Sequence, residues 1–345
     1  MSERETGGAI GLEPELAISL YRTMRLIRRF EETCVDLVKD NEIAAVVHES
    51  IGQEAVAAGV TAALGPQDYL TSTHRGHGHI LGRGADPTRV MAELMGRTTG
   101  TNRGRGGSMH VGAPDLGILG ANGIVGAGTP IAVGATWAAR TAGGDAVCAA
   151  FFGDGAINQG VVHEAMNLAV IWEVPVVFCC ENNLYAVTTP LSNMTGAPIT
   201  ERAGGVGMPV CSVDGMDPGA VHDAMSESIA TGRRDGTPSF VEFRTYRYSG
   251  HHTAEAATGV EYRSETEMEA WRQRDPLVTW PERLAAHGIL DAAGKEAIDG
   301  EVEALITESV TFARNSPWPE PTEVLDLAYA SGTGADFPSH TWGGS

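Results

Sequence analysis

The sequence predicts an α/β protein built on a doubly wound parallel sheet and closed by C-terminal helices, and three features carry that expectation. Two short apolar runs, Ala146 to Phe152 and Val174 to Cys180, have the length and composition of strands buried on both faces. Between them, Val161, Val162, Ala165, Met166, Leu168, Ala169, Ile171 and Trp172 recur with helical period, so the whole reads as one strand–helix–strand unit. Polar clusters rich in Gly, Asp and Asn stand directly after both runs, where an open parallel sheet binds its ligands.

The other elements follow in order. Apolar residues at helical spacing from Pro14 to about Asp40 predict an N-terminal helix packed as an arm, and the core starts near Ile43. Gly52-Gln53-Glu54-Ala55 opens a helix to Leu64, Asp86-Pro87 caps another through Arg97, and Gly128-Thr129-Pro130 starts a third ending at Gly143-Gly144. Arg97 to Ile124 is so rich in glycine that no regular structure is expected there without a ligand or partner to order it. Tyr185 to Pro209 reads as a loop, Val210 to Val213 as a strand, Pro218 to Thr231 as a helix, and Phe240 to Tyr246 as a strand with alternating faces. A second loop spans His251 to Arg263, and Thr266 to Asp275 and Ala292 to Ala313 are helical by period. The organisation expected is a helical arm over 1–40, an α/β domain over 41–265, a helical extension over 266–330 and a flexible tail over 331–345.

Gly153-Asp154-Gly155-Ala156 and Glu181-Asn182-Asn183-Leu184-Tyr185 terminate the two strands of that unit. Backbone N–H groups at a helix start receive phosphate oxygens, and glycines let the chain approach them closely. A divalent ion bridging two phosphates needs oxygen ligands, which a carboxylate, an amide and a backbone carbonyl supply. An ordinary turn with Asp154 as the helix cap explains the first cluster alone; the second cluster, one strand away, favours the ligand site.

At these residues the chain resembles the thiamin diphosphate enzymes. Thr73-His74-Arg75-Gly76-His77-Gly78, Gly104-Arg105-Gly106-Gly107-Ser108-Met109-His110, Ala121-Asn122-Gly123-Ile124-Val125-Gly126 and Tyr246-Arg247-Tyr248-Ser249-Gly250-His251 narrow the resemblance to the alpha subunit of the first component of 2-oxo acid dehydrogenase complexes, in the pyruvate and acetoin branch. The similarity spans about 15 to 330. It implies a thiamin diphosphate-binding fold, thiamin diphosphate and Mg²⁺ as cofactors, a separate beta subunit in an α2β2 assembly, and a lipoyl-bearing transacylase that receives the acyl or hydroxyalkyl group. It also assigns Mg²⁺ to Asp154, Asn183 and the carbonyl of Tyr185, the diphosphate to Gly155, Ala156 and Arg75, and the aminopyrimidine ring to the backbone of Gly123 and Val125. His48 and His251 match positions near the reacting carbon, with His251 also facing the cofactor; there an imidazole stabilises a carboxylate-bearing substrate or moves a proton. His74 stands where many pyruvate-type members have Tyr, as acetoin-type members tend to. His252 stands where animal pyruvate enzymes carry a regulatory serine, and Thr253 to Thr258 lacks the Ser-Asp-Pro of many relatives.

Composition is compatible with this reading. A net charge of −20 sets nucleic acid and anionic membrane aside as main partners, and the resemblance implies a small-molecule substrate. Against that background Arg75, Arg83, Arg97, Arg103 and Arg105 gather in the glycine-rich third of the chain, as an anionic ligand requires. Five cysteines without Cys-x-x-Cys spacing, no apolar stretch of bilayer length and no signal-peptide layout at the start lead to a cytoplasmic expectation. A histidine-ligated Zn²⁺ is a rival account of the clustered histidines, but no His-x-x-x-His pattern is present. A nicotinamide dehydrogenase lacks its Gly-x-Gly-x-x-Gly after an early strand. A non-catalytic scaffold would not keep every metal and phosphate position filled by a competent residue. A thiamin diphosphate carboligase using the same paired subunits without a lipoyl partner remains an alternative.

Overall fold

The computed structural model describes residues 10–255 and 259–322. The chain runs through α1 (Pro14–Lys39), α2 (Glu54–Ala63), β1 (Tyr69–Thr73), α3 (His77–Gly82), α4 (Pro87–Leu94), β2 (Ile118–Asn122), α5 (Gly128–Thr141), β3 (Cys148–Gly153), α6 (Gly160–Trp172) and β4 (Val176–Asn182). A hairpin of β5 (Tyr185–Ala186) and β6 (Thr189–Pro190) precedes α7 (Ile199–Gly204), β7 (Val210–Asp214), α8 (Pro218–Asp235) and β8 (Ser239–Arg244). Three helices, α9 (Glu265–Arg272), α10 (Pro276–Ala286) and α11 (Ala292–Asn315), complete it. The expected tail lies outside the described residues, as do Ala256 to Thr258 of the second loop.

Six strands form one parallel sheet in the order β2-β1-β3-β4-β8-β7. From β1 the chain steps outward to β2, then returns to lay β3 on the other side of β1. That reversal opens a crevice at the carboxyl ends of β1 and β3. Side chains alternate between two apolar layers: Ala149 and Phe151 of β3 and Cys179 of β4 join α1, α2 and α8 on one face, while Ala150, Phe152 and Cys180 join α5 and α6 on the other. Both faces are therefore covered. β8 departs from the expected alternation for this reason, since Ser239 to Phe243 are all buried and only Arg244 is exposed.

Helix α1 places Ala17, Met24, Ile27, Phe30 and Cys34 along one stripe, in the same apolar layer as the sheet. Trp280 of α10 donates its indole N–H to the Ala17 carbonyl at 3.0 Å, fastening the C-terminal helices to the first. Each such large side chain contributes about 1.5–3 kcal/mol through burial.

Several expectations need correction. Residues 97–124 contain β2, which the sequence hides because the strand is short, lies at the sheet edge and shifts register between Leu70 and Ser72 of β1. Residues 185–209 contain the β5–β6 hairpin and α7. Helix α4 ends at Leu94, short of Arg97, and α10 is an unexpected helix because Pro281 inside it reads as a break. The glycine-rich loop after α4 winds around a side chain of this chain: the buried Glu93 carboxylate accepts backbone N–H bonds from Asn102 (2.7 Å), Gly104 (2.8 Å), Gly106 (2.7 Å) and Gly107 (3.1 Å). Gly104 has φ +75° and a Cβ there would meet the Gly96 carbonyl carbon at 2.5 Å, so the wrap requires glycine. Among the described residues no helix is long and apolar enough to cross a membrane.

Candidate active site

Strand ends converge at the carboxyl edge of the sheet. β1 delivers His74 and Arg75, β3 delivers Asp154 to Ala156, β4 delivers Asn182 and Asn183, and β8 leads through Tyr246 to Arg247 and His251. The register pairs Gly153 with Glu181 and Asn182 with Arg244, which sets these loops side by side. His48 enters from the segment before α2. That segment lies along the loop after β8, held by Thr253 N to Val47 O (2.9 Å), Val47 N to Thr253 Oγ1 (3.2 Å) and Tyr248 N to Ile51 O (3.1 Å).

One corner of the site presents buried oxygen donors. Asp154 is 2% exposed; its Oδ1 accepts the Gly155 N–H at 2.9 Å, while its Oδ2 is buried without a hydrogen-bond partner. Burial pushes the carboxyl up to about 6. Beside it, Asn183 Oδ1 accepts from Tyr185 N at 3.2 Å and its Nδ2 donates to Gln53 Oε1 at 3.0 Å, while Asn182 Nδ2 donates to Glu242 Oε1 at 2.7 Å. These bonds fix the orientation of both amides. A Cβ on Gly155 would stand 2.6 Å from that of Ala186, so the turns after β3 and β4 press together and bring Asp154, Asn183 and Tyr185 to one place. The turn is strained: Leu184 and Val187 adopt φ of 72° and 55°, a conformation that a bulky residue such as Leu or the β-branched Val keeps only when its surroundings impose it. An unpartnered buried carboxylate oxygen next to amide and carbonyl oxygens is the donor set that a hard divalent ion accepts, so these residues fit Mg²⁺.

The other corner gathers imidazoles and guanidiniums. Ring centroids lie 4.8 Å apart for His48 and His74, 4.9 Å for His48 and His251, and 5.4 Å for His74 and His251. Burial, with Arg75 next, pulls His48 down to about 4, His74 to about 3 and His251 to about 2, so all three are neutral at physiological pH. Arg75, 4% exposed, donates to the Glu49 carbonyl, and to that of His251 at 3.0 Å. Burial and the neighbouring Arg247 bring Arg75 itself down to about 10. Nitrogens of His48, His74 and His251 lie within 4.8 Å of one another, close enough to suggest a metal. The Arg75 and Arg247 guanidiniums, 3.5 Å and 3.2 Å from His251 Nδ1, repel a dication, however, and favour an anionic ligand.

Not every arginine expected at the anion site reaches the crevice. Arg83 donates to the carbonyls of Leu116 (3.0 Å), Leu64 (3.2 Å), Gly65 (2.7 Å) and Asp68 (3.0 Å), acting as a clip between loops. Arg97 lies over the Trp318 ring at 3.7 Å. Both correct the expectation that the clustered arginines serve one anion. Gly123 and Val125 lie on the loop after β2, which β1 separates from β3 in the sheet; Ile124 and Val125 are 73% and 50% exposed there. Arg247 has no role predicted from its sequence context, yet it is 1% exposed and reaches His251 Nδ1 at 3.2 Å. Its place between Tyr246 and Tyr248 carries no clear signal, because a strand-end arginine reads equally well as outward facing. Glu255 is equally unmarked; it accepts the His251 backbone N–H at 2.6 Å.

Comparison with known proteins gives a consistent picture. Residues 22–322 match the family model described as the dehydrogenase E1 component. Over 324 residues the chain is 40% identical to the alpha subunit of the acetoin:2,6-dichlorophenolindophenol oxidoreductase of Bacillus subtilis (strain 168), covering 93% of this chain and 96% of the relative. The protein of the same name from Cupriavidus necator is 39% identical over 330 residues, covering 95% and 98%. The pyruvate dehydrogenase E1 component subunit alpha of Zymomonas mobilis is 39% identical over 320 residues, covering 92% and 89%.

Proposed function

The chain belongs to the dehydrogenase E1 component family, and from that premise we propose that it is the alpha subunit of a thiamin diphosphate-dependent pyruvate or acetoin dehydrogenase. It works with a beta subunit, as α2β2, and delivers its product to a lipoyl-bearing transacylase in the cytoplasm. The names of its relatives, all oxidoreductases, support this reading over a carboligase. The observation that carries it is the buried, unpartnered Oδ2 of Asp154 at the carboxyl edge of the sheet.

In this reading Asp154, the Asn183 side chain and the Tyr185 carbonyl hold Mg²⁺. Gly155, Ala156 and Arg75 face the diphosphate, and the backbone of Gly123 and Val125 faces the aminopyrimidine ring. Thiamin diphosphate, when bound, supplies the carbon nucleophile and electron sink for cleaving the bond next to a carbonyl. The chain does the rest: Arg75 and the Asp154 corner fix the diphosphate end, and the neutral rings of His48, His74 and His251 line the reacting end and exclude bulk water. His48 and His251 stabilise negative charge there by hydrogen bonding.

Reconstitution with a beta subunit tests the proposal. With thiamin diphosphate and Mg²⁺, pyruvate or acetoin should acetylate an isolated lipoyl domain, detected by mass, while this chain alone should turn over neither. Carbon–carbon bond formation without lipoyl acetylation would replace the proposal with the carboligase.

A further inference from the structure

The corner around His251 specifies the proton on its ring. Arg247 Nη1 lies 3.2 Å from His251 Nδ1, and Arg75 Nη2 lies 3.5 Å from the same atom. A guanidinium has five N–H donors, no acceptor, and keeps its proton at any relevant pH. His251 Nδ1 must therefore offer a lone pair to both. An imidazolium is ruled out by the same contacts, since its Nδ1–H would face N–H groups. The single proton of the neutral ring then sits on Nε2.

Arg247 is held so that it cannot turn away. Its Nη2 donates to the Val187 carbonyl at 2.9 Å and to Tyr262 Oη at 2.8 Å, and its Nε donates to the Ser249 carbonyl at 3.3 Å. Tyr262 donates its own O–H to Glu255 Oε1 at 2.7 Å, and Glu255 Oε2 accepts the His251 backbone N–H at 2.6 Å. Arg75 meanwhile donates to the His251 carbonyl at 3.0 Å. Backbone nitrogen, backbone carbonyl and Nδ1 of His251 are thus all engaged, which leaves Nε2 as the atom with which the side chain can act.

We infer that Arg247 is a positioning residue that locks His251 as its Nε2–H tautomer, so that His251 meets its ligand as a hydrogen-bond donor and not as a base. The ligand group is an oxygen carrying full or developing negative charge, of the phosphate, carboxylate or enolate class. Beyond Arg247, Arg75 and Glu255, the titratable groups around the ring are His48, His74 and His252. The inference rests on the proposed function for its kinetic arm only.

The decisive measurement is made on the reconstituted α–β complex with ¹⁵N-labelled histidine in this chain. Long-range ¹H–¹⁵N correlation, with His251→Gln to assign the resonance, should show Nε2 protonated and Nδ1 bare between pH 5 and 8; a protonated Nδ1 would overturn the inference whatever the enzyme proves to catalyse. In the kinetic arm, His251→Gln places an amide N–H near the Nε2 position and should keep activity within about ten-fold, whereas His251→Asn, which mimics Nδ1, should lose about 10²–10⁴-fold. Equal losses in the two variants would refute the donor role. Arg247→Met should move the acid limb of the kcat/KM profile to higher pH, short of the ordinary histidine value of about 6.5 because burial and Arg75 still hold the ring down, and Arg247→Lys should largely suppress that shift by restoring a donor. An unchanged profile in Arg247→Met would show that Arg247 does not set the tautomer.

Discussion

In the proposed reading, one side chain, Asp154, opposes folding and serves binding. Its Oδ2 has given up water without gaining a partner, a loss that weighs on the folded chain until a cation compensates it. Asp154→Asn keeps the shape and removes the charge, so the two effects should separate. In the cofactor-free complex the melting temperature should stay level or rise by a degree or two, while affinity for thiamin diphosphate with Mg²⁺ should fall by about 100-fold, at the upper end for disturbing a metal site. Calorimetry and a thermal melt on the same preparation check both, and undiminished affinity would remove Asp154 from the metal set. At this scale the structure gathers Asp154, Asn183 and Tyr185 in one corner and His48, Arg75 and His251 in the other, and their roles there belong to the proposed function. Arg247 escapes a reading of the sequence because its importance lies in which atom it touches, and no spacing in the chain records that Nη1 meets Nδ1 of a residue four positions later.

At the scale of elements, the glycine-rich loop after α4 is ordered by an internal anion. Glu93 lies on α4, ahead of the loop it organises, and nothing in the residues 97–107 themselves announces it; this is why the sequence suggests an external ligand instead. Four backbone donors share one buried carboxylate, so Glu93→Gln leaves an amide N–H₂ facing N–H groups. A loss of about 3 kcal/mol is expected, within the range for buried hydrogen bonds to a charged group. It should appear as an earlier urea midpoint and as new tryptic cleavage after Arg103 and Arg105. Formate at high concentration should restore protection in Glu93→Ala by occupying the vacated cradle; cleavage indifferent to Glu93 would show that other contacts order the loop. The same limit explains the strands. β3 and β4 are legible because both faces are buried and their runs are unbroken, whereas β2, at the edge and out of register, has no such pattern.

Across the whole molecule, the histidines make stability depend on pH in a direction set by their surroundings. His48, His74 and His251 resist protonation in the folded state down to about 4, 3 and 2, while in the unfolded chain they take up protons near 6.5. Between those limits the unfolded state binds more protons, so stability falls as pH drops below about 6.5. His77 runs the other way. Its pair with Glu31, 2.9 Å away, raises it, so its contribution is complete below about 6.5 and is lost as pH climbs through its folded value. Asp154, raised to about 6 by burial, acts in the same sense as His77. Three groups outweigh these two, and the assembled complex should melt several degrees lower at pH 5 than at pH 7. Replacing His74 by Gln should flatten that dependence, and a melting temperature that rises on acidification would mean that His77 and Asp154 outweigh the other three.

The position of β8 between β4 and β7 also bears on how the molecule comes into being. Last in sequence among the six strands of the sheet, β8 is inserted into its interior, so β4 exposes an open edge and β7 has no neighbour until residues 239–244 arrive. His48, Asp154 and His251 come from opposite sides of that insertion. A nascent chain still emerging from the ribosome, or one truncated before β8, therefore carries hydrophobic strands with unpaired backbone and lacks Arg247 and His251. Loop closure over such distances is slow and leaves aggregation-prone intermediates waiting. Completion of this chain's share of the site and release from that hazard should arrive in the same event, the entry of one six-residue strand.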